Sequence, residues 1–183
     1  MSIKKKNAFI AQTAIIGAMY AALTYAQNLI LPGTTTMAVQ FRASEALNVL
    51  ALFTPAAIPG LTLGCVISNI ASIGQGLPLD MIFGSLATLI TCLCIAWCGK
   101  KGNTLKARLL ACLMPVVWNG LIVGATLTIA LAGLNPLTHF GAFLVFAGEV
   151  ALGELGVMYL IGLPLMTYLP KQRFFSEFVD KHS

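Results

Sequence analysis

Between Lys6 and Lys100 the chain places one basic side chain, Arg42. The acidic residues of that stretch are Glu45 and Asp80. The rest is apolar runs broken by Pro- and Gly-containing turns. This pattern restricts the fold sharply, because so much apolar surface needs somewhere to go. The chain has 183 residues, 58% hydrophobic and 9% charged, whereas soluble domains carry about a quarter charged residues. A domain of this size leaves much of its surface exposed. A lipid solvent removes the conflict, so the expected fold is an all-α integral membrane protein.

Run lengths and breakers divide the chain into a single domain, 1–183, of six expected spans at 8–31, 43–54, 58–73, 79–98, 109–132 and 142–169. Pro32-Gly33 ends the first, and Pro55 and Pro59 break the chain after the second. "GQGLP" at 74–78 reads as a turn, "GKKGNTLKAR" as a basic loop, "GLNPLTHFG" as a loop, and Pro115 as a kink. The second segment is short. At about 1.5 Å per residue it crosses only part of a hydrocarbon core about 30 Å thick. The first apolar block follows "KKK" at 4–6, but it exceeds the roughly 7–15 apolar residues of a signal peptide. It reads as a membrane helix.

The charges orient the bundle. With six crossings and both termini cytoplasmic, Lys4, Lys5, Lys6, Lys100, Lys101, Lys106, Arg108, Lys171, Arg173 and Lys181 all fall inside, leaving Arg42 outside. That arrangement satisfies the positive-inside rule. If 43–54 did not cross, the basic loop would be moved outside.

Ionisable groups within a membrane are costly and mark function by default. Glu45, Asp80, Glu149 and Glu154 are the acids at or inside the bilayer; Glu177 and Asp180 lie in a solvated tail. Glu154 falls about 16–18 Å from the outer end of the last span. Asn69, Asn119, Gln27 and Asn28 also fall in the outer or middle part. The polar groups thus gather as an outward-opening pocket. Arg42 and Glu45, three apart, could pair with each other, and Asp80 could cap a helix after Pro78. Glu149 and Glu154 are too deep to be caps and stand about 140° apart around a helix. Gly153 and Gly156, in "GELG", would permit close approach.

Ala14, Ala18 and Ala22 form a small-residue stripe on the first span, suited to close helix packing. Trp97 suits an interfacial anchor. The basic residues form no nucleic-acid-binding face. Cys65, Cys92, Cys94, Cys98 and Cys112 lack metal-site spacing and read as packing residues. His139 and His182 fall in a loop and the tail, and neither HExxH nor GxSxG occurs, so no catalytic residues, metal or cofactor are expected.

"QFRASEALNVLALFTPAAIPGLTLGCVISNI", "LPLDMIFGSLATL", "WNGLIVG" and "GELGVMYLIGLPL" resemble the QueT family over about residues 8–169. The resemblance implies the six-helix bundle of a substrate-binding S component of an energy-coupling factor (ECF) transporter. It implies a prokaryotic, multi-pass plasma-membrane protein that takes up a queuosine precursor, a 7-deazaguanine. It also implies docking through Ala14, Ala18 and Ala22 on a transmembrane coupling protein that carries two cytoplasmic ATPase subunits. The cargo's pyrimidine edge presents adjacent N–H donors that a carboxylate accepts in pairs. Glu154, Glu149, Asn119, Asp80, Asn69, Glu45 and Arg42 are the expected cargo ligands. The alternatives are an S component for another vitamin such as cobalamin, or an independent proton-coupled carrier.

Overall fold

The computed structural model describes residues 3–34, 41–74, 78–100 and 102–180. Lys101, Lys181, His182 and parts of the loops at 33–42 and 74–78 lie outside the described residues. The described chain is helical, with no strand. Its α-helices are α1 (Ile3–Ile30), α2 (Ala57–Gly74), α3 (Pro78–Gly99), α4 (Leu105–Ala130), α5 (Phe140–Val157), α6 (Leu163–Tyr168) and α7 (Arg173–Asp180). A ten-residue 3₁₀ helix, Ala43–Leu52, follows α1, and a π turn, Met158–Gly162, joins α5 to α6.

Four helical stretches are long and apolar enough to cross a bilayer: Ile3–Ile30, Leu79–Gly99, Leu105–Ala130 and Phe140–Lys171. Ala43–Leu52 and Ala57–Ile70 are shorter apolar helices. Several edges differ from the apolar runs. Helix α1 takes in Lys4–Lys6, and α4 takes in Lys106 and Arg108 behind the Thr104 cap, whose hydroxyl accepts from Ala107 N at 3.2 Å. Charged residues at a helix end need not stop it, because its backbone bonds continue to the last turn. Helix α4 continues through Pro115.

Each long helix packs on the next, α1 on α2 through to α4 on α5. Glycines set two of these approaches. A Cβ on Gly17 would lie 2.8 Å from Gly60 O, and one on Gly124 would lie 2.6 Å from Ala147 Cα.

The 3₁₀ helix is the axis of the molecule. It touches α1, α2, α3, α4, α5, the π turn and α6, and Ser44 through Ala51 are all buried. A helix apolar on nearly every side belongs in an interior, which explains why this short segment is so greasy. At about 2.0 Å rise per residue, ten residues of 3₁₀ helix extend about 20 Å, further than the same residues would reach as an α-helix. Beneath it, Phe53 meets the Phe175 ring of α7 edge-on, with centroids 5.5 Å apart.

Candidate functional site

Arg42 immediately precedes the 3₁₀ helix in an extended conformation, φ −103° and ψ 102°. Gln27 of α1 fixes that entry. Its amide donates to Phe41 O and to Thr34 Oγ1 (3.0 Å), and its Oε1 accepts from Ala43 N at 2.8 Å. The chain therefore enters the bundle with the Arg42 side chain already inside it, 5% exposed.

There Arg42 Nη1 donates to Asn69 Oδ1 at 2.9 Å and Nη2 to Asp80 Oδ2 at 2.7 Å. Asn69 Nδ2 in turn donates to the Asp80 backbone carbonyl at 3.1 Å. The sequence suggested two local roles, Arg42 with Glu45 and Asp80 as a cap. Instead Arg42 forms its ion pair with Asp80. A buried guanidinium needs a partner in good geometry, and Asp80 supplies it from the start of α3.

Glu45 belongs to a second cluster. The Tyr20 hydroxyl donates to its Oε1, and Asn48 Nδ2 donates to Oε2 at 2.6 Å. Asn119, on α4, lies between two acids. Its Nδ2 donates to Glu154 Oε1 at 2.6 Å and lies 3.4 Å from Glu45 Oε2. The Asn119 amide thus turns its NH₂ toward both acids. That leaves Asn119 Oδ1 without a partner among the described residues, as are Glu154 Oε2 and Asp80 Oδ1. Buried polar atoms are normally paired, and all three of these are acceptors.

Arg42, Glu45, Gly84, Asn119, Val123, Val150 and Glu154 line a small cavity of about 10 Å³, room for roughly one water molecule. Gly84 keeps the α3 wall flat: a Cβ there would lie 2.8 Å from Asp80 Oδ1 and 3.1 Å from Asn69 Nδ2. The cavity is below the roughly 300–1,000 Å³ common for small-molecule sites.

Six of the seven expected cargo ligands thus come together: Arg42, Glu45, Asn69, Asp80, Asn119 and Glu154. Glu149 does not join them; it is half-buried and outside the cavity lining. Gly156 makes only ordinary contact, with the Phe41 ring 3.8 Å from where its Cβ would stand. Ala14, Ala18 and Ala22 are all exposed, while Gln12, Ile16, Tyr20, Thr24 and Gln27 bury the other side of α1. Sequence reasoning passed over Tyr20, Asn48 and Gly84. The available signal for Asn48 is its spacing, three residues from Glu45 and six from Arg42.

Comparison with known proteins adds an independent line. The chain matches the QueT transporter family over residues 10–171. It is 38% identical over 90 residues to the Queuosine precursor transporter QueT of Lactococcus lactis subsp. cremoris (strain MG1363), a match covering 48% of each chain. The aligned part is thus about half the length of that relative. No solved structure matches significantly.

Proposed function

The chain belongs to the QueT transporter family, and on that premise we propose that it is a membrane subunit that binds a queuosine precursor outside the cell for import. The observation that carries this reading is the pair of buried acceptors, Asn119 Oδ1 and Glu154 Oε2, without partners among the described residues and on residues lining a cavity that also holds Glu45. Such a site asks its ligand for N–H donors. A 7-deazaguanine presents a ring N–H and an amino group side by side, and its 7-aminomethyl form adds a cation. Arg42 is one cation beside three buried acids, Asp80, Glu45 and Glu154. A cationic cargo would bring the missing charge, and charge-assisted hydrogen bonds are the strong ones.

In this reading Glu154 and Asn119 take the donor edge of the cargo. Glu45 adds negative potential, and Arg42, Asp80 and Asn69 form the wall behind Gly84. Val123 and Val150 cover the apolar faces of the base. The cavity must open to admit a bicyclic base.

The wider role follows the family resemblance. We place the protein in the plasma membrane of a prokaryote as an ECF S component. It has six crossings with both termini cytoplasmic, and it depends on a coupling protein and two ATPase subunits. The exposed Ala14, Ala18 and Ala22 stripe supports this docking role, because it is not consumed by packing within the chain.

Titration of the purified protein with 7-aminomethyl-7-deazaguanine tests the cargo, with adenine and cobalamin as comparators. Binding of the deazaguanine well above adenine is expected. Equal binding of the two bases, or tight binding of cobalamin alone, rejects the assignment. Reconstitution in vesicles tests the coupling: uptake should need the partner subunits and ATP, whereas uptake by this chain alone would identify an independent carrier.

A further inference from the structure

Glu45 is gripped from two flanks by residues that the reading above leaves without a role. Tyr20 reaches it from α1, and Asn48 reaches it from one turn along the same 3₁₀ helix. Both side chains are fully buried, at 0% exposure. A core position would more cheaply take Phe and Leu, since a buried hydroxyl or amide costs stability unless it is paired.

The winding of the helix makes the Asn48 contact possible. In a 3₁₀ helix, side chains three apart eclipse one another. In an α-helix they would diverge by about 60°. Glu45 and Asn48 stand three apart within this helix, so its winding sends both toward the same side.

With Tyr20 on one Glu45 oxygen and Asn48 on the other, Asn119 is left nearer to Glu154, at 2.6 Å against 3.4 Å. That choice determines which atoms face the cavity without partners. We propose that Tyr20 and Asn48 are positioning residues for cargo recognition. By fixing the Glu45 carboxylate with two shorter hydrogen bonds they leave the Asn119 amide bonded more closely to Glu154 than to Glu45, and so hold Asn119 Oδ1 and Glu154 Oε2 ready for the donors of the cargo. Loss of either donor frees Glu45 to draw the Asn119 amide toward itself and turn both acceptors out of register. This inference rests on the cavity being the cargo site.

The test is a pair of double-mutant cycles on the full chain, titrated with 7-aminomethyl-7-deazaguanine. Tyr20→Phe removes one oxygen from a buried ring and keeps its shape; Asn48→Ala removes the second donor. Each should weaken binding by about tenfold or more in the wild-type background, the scale of a hydrogen bond to a charged group. In the Glu45→Gln background each should weaken it by less than about threefold, because residues acting through a shared partner are not additive. The Tyr20→Phe melting temperature reports whether the fold is kept. Wild-type affinity in both single variants overturns the proposal. So does an equal loss in both backgrounds, which would mark a purely structural role. A wild-type chain that does not bind the probe overturns the cargo reading itself, and is recognised in that arm alone.

Discussion

Arg42 and Asp80 meet at 2.7 Å inside the bundle, joined across 38 residues of chain and braced by Asn69. The pair ties the entry of the 3₁₀ helix to α3, and its members are 6% and 1% exposed at the side chain. Breaking such a pair by removing one partner leaves an uncompensated buried charge. Asp80→Asn should therefore destabilise the ligand-free protein by about 3–5 kcal/mol. Thermal melting in detergent would show it. The double variant Arg42→Met with Asp80→Asn should melt above Asp80→Asn alone, since no charge is then stranded. A melting point unchanged in Asp80→Asn would mean that Arg42 does not depend on it.

Glu154 carries the cargo prediction. Its Oε1 is held by Asn119 while Oε2 has no partner among the described residues. Glu154→Gln keeps the volume and replaces an acceptor with a donor, where the cargo itself brings donors. Affinity for 7-aminomethyl-7-deazaguanine should fall by about 2–5 kcal/mol, the range for truncating one partner of a buried charged contact. Isothermal titration measures this directly, and an unchanged affinity removes Glu154 from the site.

Much of this architecture is legible in the sequence, and what is not has a physical reason. Run length reveals α1, α3, α4 and the α5–α6 stretch, because a span must bury about twenty apolar residues in lipid. Run length says nothing of position, so 43–54 appears only as a weak span, while its all-round burial makes it the axis of the bundle. Neighbour spacing points Arg42 to Glu45, yet the fold gives it Asp80, because spacing arguments reach only along one helix. Tyr20 sits in a run of small apolar residues, where an aromatic reads as packing. Asn48 stands three residues from Glu45, as Arg42 does, and spacing alone does not say which of the two Glu45 takes. The cost of acids in lipid does single out Glu45, Asp80 and Glu154. It also singles out Glu149, whose direction around the helix only the structure supplies.

Glu149 provides the control for that cost argument. Five residues before Glu154, it points about 140° away around the helix, and it is half-buried and outside the cavity lining. Glu149→Gln should leave cargo affinity within about threefold of wild type, less than the tenfold that 1.4 kcal/mol represents. The same titration as for Glu154→Gln decides it. A loss matching that variant would place Glu149 in the site and require another arrangement of α5 when cargo is bound.

The two faces of α1 make opposite predictions within two adjacent residues. Gly17 packs inward, where a Cβ would stand 2.8 Å from Gly60 O. That neighbour is backbone and cannot swing aside, so Gly17→Ala should cost about 1–3 kcal/mol through overpacking. It should lower the melting point of the isolated chain. Ala18 faces outward and is exposed. Ala18→Leu should keep both the melting point and the affinity for 7-aminomethyl-7-deazaguanine. If the stripe of Ala14, Ala18 and Ala22 is where a coupling protein docks, the same leucine holds the two helices apart and uptake by the reconstituted complex should fall sharply. Undiminished uptake with Ala18→Leu would move the docking surface off this face of α1. A lowered melting point would instead mean that the stripe packs within the chain, and the contrast with Gly17→Ala separates these outcomes without reference to the cargo.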